Sequence, residues 1–184
     1  MCPETASPMP DATRERVLAG TAPSADAGVD DLLWRDDVGA AHPAVDALVR
    51  AHREDLARHT PACSAHALAP ESFAADPGLS LLTAWHDGTL VACGALKRHE
   101  GALGELKTMR VVDAWRGRRV GDRLLARLVA LAHEAGCTRL ALETGGGAPF
   151  APALAFYARH GFASCPPFAD YRDDPFSVYL AREV

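Results

Sequence analysis

The sequence predicts an α/β domain built on a mixed, mostly antiparallel sheet with helices on both faces. Three observations predict it. Alternating runs at Ser80–Trp85 and Thr89–Leu96 flank His86-Asp87-Gly88, and Asp-Gly marks a hairpin turn. A third alternating run starts at Gly104, so the hairpin extends into a meander. Val120, Leu124, Leu128 and Leu131 then recur at helical spacing, widened by Leu125, Val129 and Ala132, and Thr138–Thr144 reads as a buried strand after a crossover.

The remaining elements follow in order. Residues 1–28 are rich in Pro, Ala, Ser and Thr with few large apolar side chains, a composition that predicts a disordered leader. The folded domain is expected over 29–184. Val29–Arg35 reads as a first strand. His42–Arg58 reads as a helix, carrying Val45, Leu48, Val49, His52 and Leu56 at helical spacing with Pro43 in its first turn. His59–Phe73 is loop-like at its proline-bearing ends, and His66 at its centre is a candidate for an acceptor site. Gly136 stops the long helix. Ala151–His160 is a short helix with Gly161 as its C-cap, Phe162 opens a further strand, and Ser177–Glu183 is extended.

Composition narrows the function classes. The chain has 184 residues, 48% of them hydrophobic and 23% charged, which suits one globular domain with a real core. A formal charge of −5 with no long basic run argues against a nucleic-acid partner. No run is apolar for long enough to span a membrane. The five cysteines are scattered, with neither a Cys-x-x-Cys pair nor metal-ligand spacing, and the chain shows no secretory signal. These features predict reduced thiols in the cytoplasm and no metal.

The chemistry concentrates between Gly104 and Leu131. In the strand part Glu105, Lys107, Met109 and Val111 should share one face, and Leu106, Thr108, Arg110 and Val112 the other. Gly117 and Gly121 allow close approach at the start of the long helix, where Arg116, Arg118 and Arg119 add positive charge. A helix N-terminus with free N–H groups and nearby arginines is a phosphate-binding device. RGRRVGD lacks the Lys-Ser/Thr ending of a Walker loop, and the Gly-x-Gly-x-x-Gly of a dinucleotide fold is absent.

The stretch resembles motif A of the GNAT acetyltransferases, Gln/Arg-x-x-Gly-x-Gly/Ala, with Arg116 first, Gly121 last, and Arg119 standing in place of the middle glycine. LAFYARHGF (Leu154–Phe162) resembles a second landmark of the family, although Phe150 replaces the Asn that often precedes this helix. CGALK, GELKTMR, LETG, FAPALAFYARHGF and PFADYRDDPFSVYL together resemble a small bacterial subgroup, some members of which are labelled indole-acetic-acid acetyltransferases. The resemblance runs from about His66 to the end.

That resemblance implies a fold with a splay between the fourth and fifth strands, acetyl-CoA as co-substrate and no metal. It implies that Met109, Arg110, Val111, Arg116, Gly117, Arg118, Arg119, Val120 and Gly121 hold the coenzyme, and that Tyr157 protonates the departing thiolate. A phenol of pKa about 10 is protonated at neutral pH and can donate. Deprotonating an alkylamine of similar pKa costs about 4 kcal/mol at neutral pH, so a carboxylate base is expected. Glu105 is the first candidate and Glu143 the second, each with a structural ion pair as its alternative. His66, Lys107, Glu143, Asp170 and Tyr171 are expected to shape the acceptor pocket. The cationic Lys107 and Arg110 favour an acceptor bearing a carboxylate. A protein or peptide acetyltransferase and a catalytically silent acyl-CoA sensor stay open as alternatives, as does a homodimer.

Overall fold

The computed structural model describes residues 8–24, 27–36, 39–61, 64 and 66–184. Its sheet has seven strands in the order β1-β2-β3-β4-β5-β7-β6. The strands are β1 (Leu33–Arg35), β2 (Leu79–His86), β3 (Thr89–Arg98), β4 (Leu103–Val111), β5 (Arg139–Gly145), β6 (Ala163–Ser164) and β7 (Ser177–Glu183). The helices are α1 (Asp11–Ala19), α2 (Pro43–Ala57), α3 (Ser72–Ala75), α4 (Val120–Glu134) and α5 (Ala151–Arg159). Every pair is antiparallel except β4 with β5.

Helices cover both faces, as expected. α4 buries Val120, Leu124, Leu125, Leu128 and Ala132, the stripe read from the sequence. A Cβ on Gly94 would touch Leu128 and Leu124, so β3 presents its small residue where α4 lies closest. The opposite face receives α2, whose Val45, Leu48, Val49 and Ala51 are buried. His42 caps α2, its Nδ1 accepting from the Ala44 N–H at 3.3 Å, and Pro43 supplies the first turn.

The leader departs from expectation. Asp11–Ala19 is a helix, and α1 packs on α2 with Leu18 and Arg14 buried. Its sequence carries no broad apolar stripe, so long-range polar contacts hold it instead. The Met9 N–H donates to Glu54 at 2.9 Å, and Arg58 pairs with Asp11 at 2.6 Å. Residues 1–7 lie outside the described residues, as do Cys2 and Cys63. The predicted first strand also shortens, because Val29–Asp31 forms a 3₁₀ turn before β1.

Two irregularities in β4 shape the site. Its parallel pairing with β5 covers only Leu103–Glu105 against Arg139–Ala141, after which the strands part. The second is a bulge. Ala95 pairs with Lys107 but Cys93 pairs with Arg110, so β4 carries one extra residue, and Thr108 there has φ +54°. A β-branched residue in the left-handed region is strained. The bulge resets the alternation: Arg110 joins Glu105 and Lys107 on the α2 face, where simple alternation had placed it opposite them. Among the described residues no helix is long and apolar enough to cross a membrane.

Candidate active site

The gap between β4 and β5 opens into a cleft of about 1080 Å³. Leu106 through Val111 wall it on one side, and Glu143, Thr144 and Gly145 on the other. α2, the residues His59, Thr60, Ser64 and His66, the start of α4 and α5 complete its lining.

The candidate coenzyme residues gather at the start of α4, with one exception. A 3₁₀ turn over Asp113–Trp115 delivers the chain to Arg116, and Gly117 takes φ +74°. Arg119 then adopts φ +63° and ψ +13°, the left-handed conformation that the motif's glycine would enter freely. The α4 ladder begins when the Arg123 N–H donates to the Arg119 carbonyl at 3.1 Å, and no side chain caps the helix. Its first amides therefore remain available to an anion. Arg116, Gly117, Arg119, Val120 and Gly121 all line the cleft. Arg118 does not: it donates to the Ala27 carbonyl at 3.0 Å and lies over the Trp115 ring. Gly121 lets α5 approach, since a Cβ there would meet the Phe156 ring at 3.4 Å. This end fits the pyrophosphate of a coenzyme.

Tyr157 reaches the cleft from α5, its ring edge-on to Phe156 at 5.3 Å and to Phe162 at 5.5 Å. Burial pushes its phenol well above the ordinary value, so it is protonated throughout the neutral range. Phe150 packs on Gly145 so closely that a Cβ there would overlap its ring, and its edge meets His59 at 6.4 Å. The Phe in the family's Asn position thus serves as cleft wall.

The two carboxylate candidates separate cleanly. Glu105 is 2% exposed and does not line the cleft. It accepts from His99 Nε2 at 2.8 Å, Lys107 Nζ at 2.7 Å and the Tyr171 hydroxyl at 2.7 Å. Burial alone would raise its carboxyl, but the Lys107 charge and the donated hydrogen bonds outweigh it and hold the group below the usual range. A buried carboxylate that already accepts three hydrogen bonds and does not itself line the cleft is poorly placed to take a proton from an amine bound there, against the first expectation.

Glu143 does line the cleft, accepting from Ser177 Oγ at 2.7 Å. Burial raises its carboxyl above the ordinary value, opposed by the Ser177 bond and by the nearby His66 and Lys107. Its affinity for a proton is thereby moved toward that of a useful base.

The acceptor residues are partly brought together. His66 and Lys107 line the cleft, and Tyr171 stands behind them with its ring edge-on to His66 at 5.0 Å. Asp170 is exposed on the turn after Ala169 and takes no part in the cleft. Met109, Arg110 and Val111 all line it. The Arg110 side chain, however, turns to Asp55 at 3.4 Å and Asp113 at 3.1 Å.

His52 was read only as part of an apolar stripe. It lines the cleft beside Arg110, its Nδ1 shielded from solvent and without a hydrogen-bond partner among the described residues. Burial and then the Arg110 charge push its pKa down to about 4, so the ring is neutral. A histidine on an otherwise apolar stripe was the available signal.

Comparison with known proteins identifies the family. The profile of the Acetyltransferase (GNAT) family matches residues 45–162. The chain is 39% identical over 140 residues to the uncharacterized N-acetyltransferase YedL of Escherichia coli, covering 76% of this chain and 87% of that one. It is also 39% identical over 147 residues to an IAA acetyltransferase of Azospirillum brasilense, covering 77% and 94%. A solved Klebsiella pneumoniae protein, provisionally named an acyl-CoA N-acyltransferase, superposes with TM-score 0.66 at 29% identity over 83% of this chain and 97% of its own. The family match over most of the chain and the named relatives place the chain among the GNAT acetyltransferases, as an acetyl-CoA-dependent N-acetyltransferase.

Proposed function

We propose that the protein moves the acetyl group of acetyl-CoA to the amine of a small carboxylate-bearing molecule, by direct attack within a ternary complex. One observation carries the choice of acceptor. Lys107 and Glu143 share a sheet face two residues past the last β4–β5 rung, Glu105 with Ala141, and both line the cleft. A cation and an anion set side by side suit a zwitterionic amine, its ammonium toward Glu143 and its carboxylate toward Lys107.

The reaction follows from the residues. The first-turn amides of α4, with Arg116 and Arg119, hold the pyrophosphate, and the arm of the coenzyme lies along the unpaired edge of β4. Glu143 accepts a proton from the incoming ammonium, directly or through a water, and frees the lone pair that attacks the thioester carbonyl. Backbone N–H groups near Met109–Val111 supply a donor for the oxyanion. As the tetrahedral intermediate collapses, the carbon–sulfur bond breaks, Tyr157 protonates the thiolate, and the surplus proton of the new amide nitrogen passes through water to the tyrosinate, restoring the phenol. Holding both substrates in one cleft supplies the orientation that a bimolecular reaction in water lacks.

The test is thiol release from acetyl-CoA across amino acids, their decarboxylated analogues, polyamines, arylamines and peptides, with Tyr157→Phe alongside. Release that favours carboxylated amines and falls in the variant is expected. Equal rates with decarboxylated analogues would overturn the acceptor assignment, and saturable acetyl-CoA binding without release to any amine would overturn the reaction.

A further inference from the structure

Three side chains from separate parts of the chain converge on one buried carboxylate. His99 comes from the β3–β4 hairpin, Lys107 from β4 and Tyr171 from the segment before β7, each donating to Glu105. Lys107 also donates to the Tyr171 hydroxyl at 2.7 Å, so Glu105, Lys107 and Tyr171 form a closed triangle. Tyr171 is in turn wedged by rings, Phe168 at 5.1 Å, Tyr179 at 5.5 Å and His66 at 5.0 Å. A single carboxylate therefore ties the sheet to both loops at the acceptor end of the cleft.

Stability alone does not account for this arrangement. Glu105 is 3% and Lys107 12% exposed in their side chains, and apolar residues of similar volume hold a core at least as well as a buried ion pair does. What an ion pair adds is direction. Two of the three Lys107 ammonium donors are taken by Glu105 and Tyr171, which leaves one for the cleft that Lys107 lines.

We infer that Glu105 is a positioning residue for acceptor recognition, its buried carboxylate aiming the remaining Lys107 N–H at the acceptor's carboxylate and fixing Tyr171 and His66 beside it. This rests on the carboxylated-amine reading above. Glu105 touches no substrate and transfers no proton. Its effect is on selectivity between amines with and without a carboxylate, and acetyl-CoA is handled at the other end of the cleft.

The experiment measures kcat/KM for one amino acid and its decarboxylated amine in the wild type, Glu105→Gln and Tyr171→Phe, with KM for acetyl-CoA and melting temperature for each. The ratio of the two kcat/KM values is expected to fall about ten- to hundredfold in both variants, the size of a lost charge-assisted hydrogen bond, with KM for acetyl-CoA kept. Tyr171→Phe leaves the ion pair intact, so it carries the test even where Glu105→Gln lowers the folded fraction. An unchanged ratio in Tyr171→Phe, or equal losses on both amines, would make the triangle purely structural and overturn the inference. A wild type with no carboxylate preference would sink the acceptor reading first, before any variant is compared, and this inference with it.

Discussion

Lys107 and Glu143 stand on the same face of the sheet, each two residues beyond the rung where β4 and β5 last pair. Their environments nonetheless differ. Lys107 is held by Glu105 and Tyr171, whereas among the described residues Glu143 accepts from the Ser177 hydroxyl at 2.7 Å and has a carboxyl raised by burial. Of the two acidic side chains here, Glu143 is the less satisfied and the one that lines the cleft.

For Glu143 the expectation is therefore a pH effect. In the proposed reaction Glu143 acts deprotonated, so kcat/KM for the amine should fall as pH drops through a value above the ordinary carboxylate pKa of about 4.3. Glu143→Gln should lower kcat by about 10²- to 10⁴-fold and abolish that acidic limb. A raised folded-state pKa also means that the charged form is disfavoured in the fold. Stability from this group is present at low pH and lost as pH rises through the raised value, so the variant should melt higher at neutral pH. A pH–rate profile and a melting curve check both.

Glu105 has the opposite sign. Its carboxyl is depressed, so its contribution to stability is present above about pH 4.3 and lost as pH falls through the folded value. Glu105→Gln leaves Lys107 buried without its counter-charge and should cost about 3–5 kcal/mol at neutral pH. The gap in melting temperature from wild type should close on acidification; a constant gap would mean that packing, and not charge, is lost.

Arg119 combines a charge with a left-handed backbone, which costs a non-glycine residue about 1–2 kcal/mol. Arg119→Gly removes both the strain and the charge, and Arg119→Ala removes the charge alone. Acetyl-CoA affinity should weaken equally in the two, while the melting temperature should stay near wild type in Arg119→Ala and rise in Arg119→Gly. Calorimetry of coenzyme binding and thermal melts separate these effects.

At the other end of the chain, Leu18 is 6% exposed where α1 meets the core. Leu18→Ala should cost about 2–5 kcal/mol, as for any buried leucine. A change within error in denaturant unfolding would return this segment to the status of a dispensable leader.

Much of the fold was legible because it is written in periods. The hairpin, the third strand and α4 each repeat their signal over several residues, and the helix stripe from Val120 to Ala132 needed no tertiary context. α1 had no such signal, since Leu18 is its sole buried apolar residue and its partners Glu54 and Arg58 lie far along the chain. The bulge at Thr108 was invisible because no glycine marks it, and the parity of Arg110 was lost with it. Glu105 looked like a base because its strand runs into the phosphate loop. Its true partners, His99 and Tyr171, are neighbours only in three dimensions. Family resemblance pointed to the 116–121 loop and Tyr157, and Tyr157 and all of that loop except Arg118 line the cleft.

The short parallel junction has a mechanical meaning. Three rungs, Leu103–Glu105 against Arg139–Ala141, are the whole spine joining a four-stranded leaf, β1 to β4, to a three-stranded leaf of β5, β7 and β6. From that spine β4 continues from Leu106 to Val111, a lever of about 20 Å at about 3.3 Å per residue. Rotating one leaf about 5° on the other would shift the far tips by about 2 Å while hardly moving Glu105, a consequence of lever length alone. A small rotation about those three rungs would therefore widen or narrow the cleft between β4 and β5.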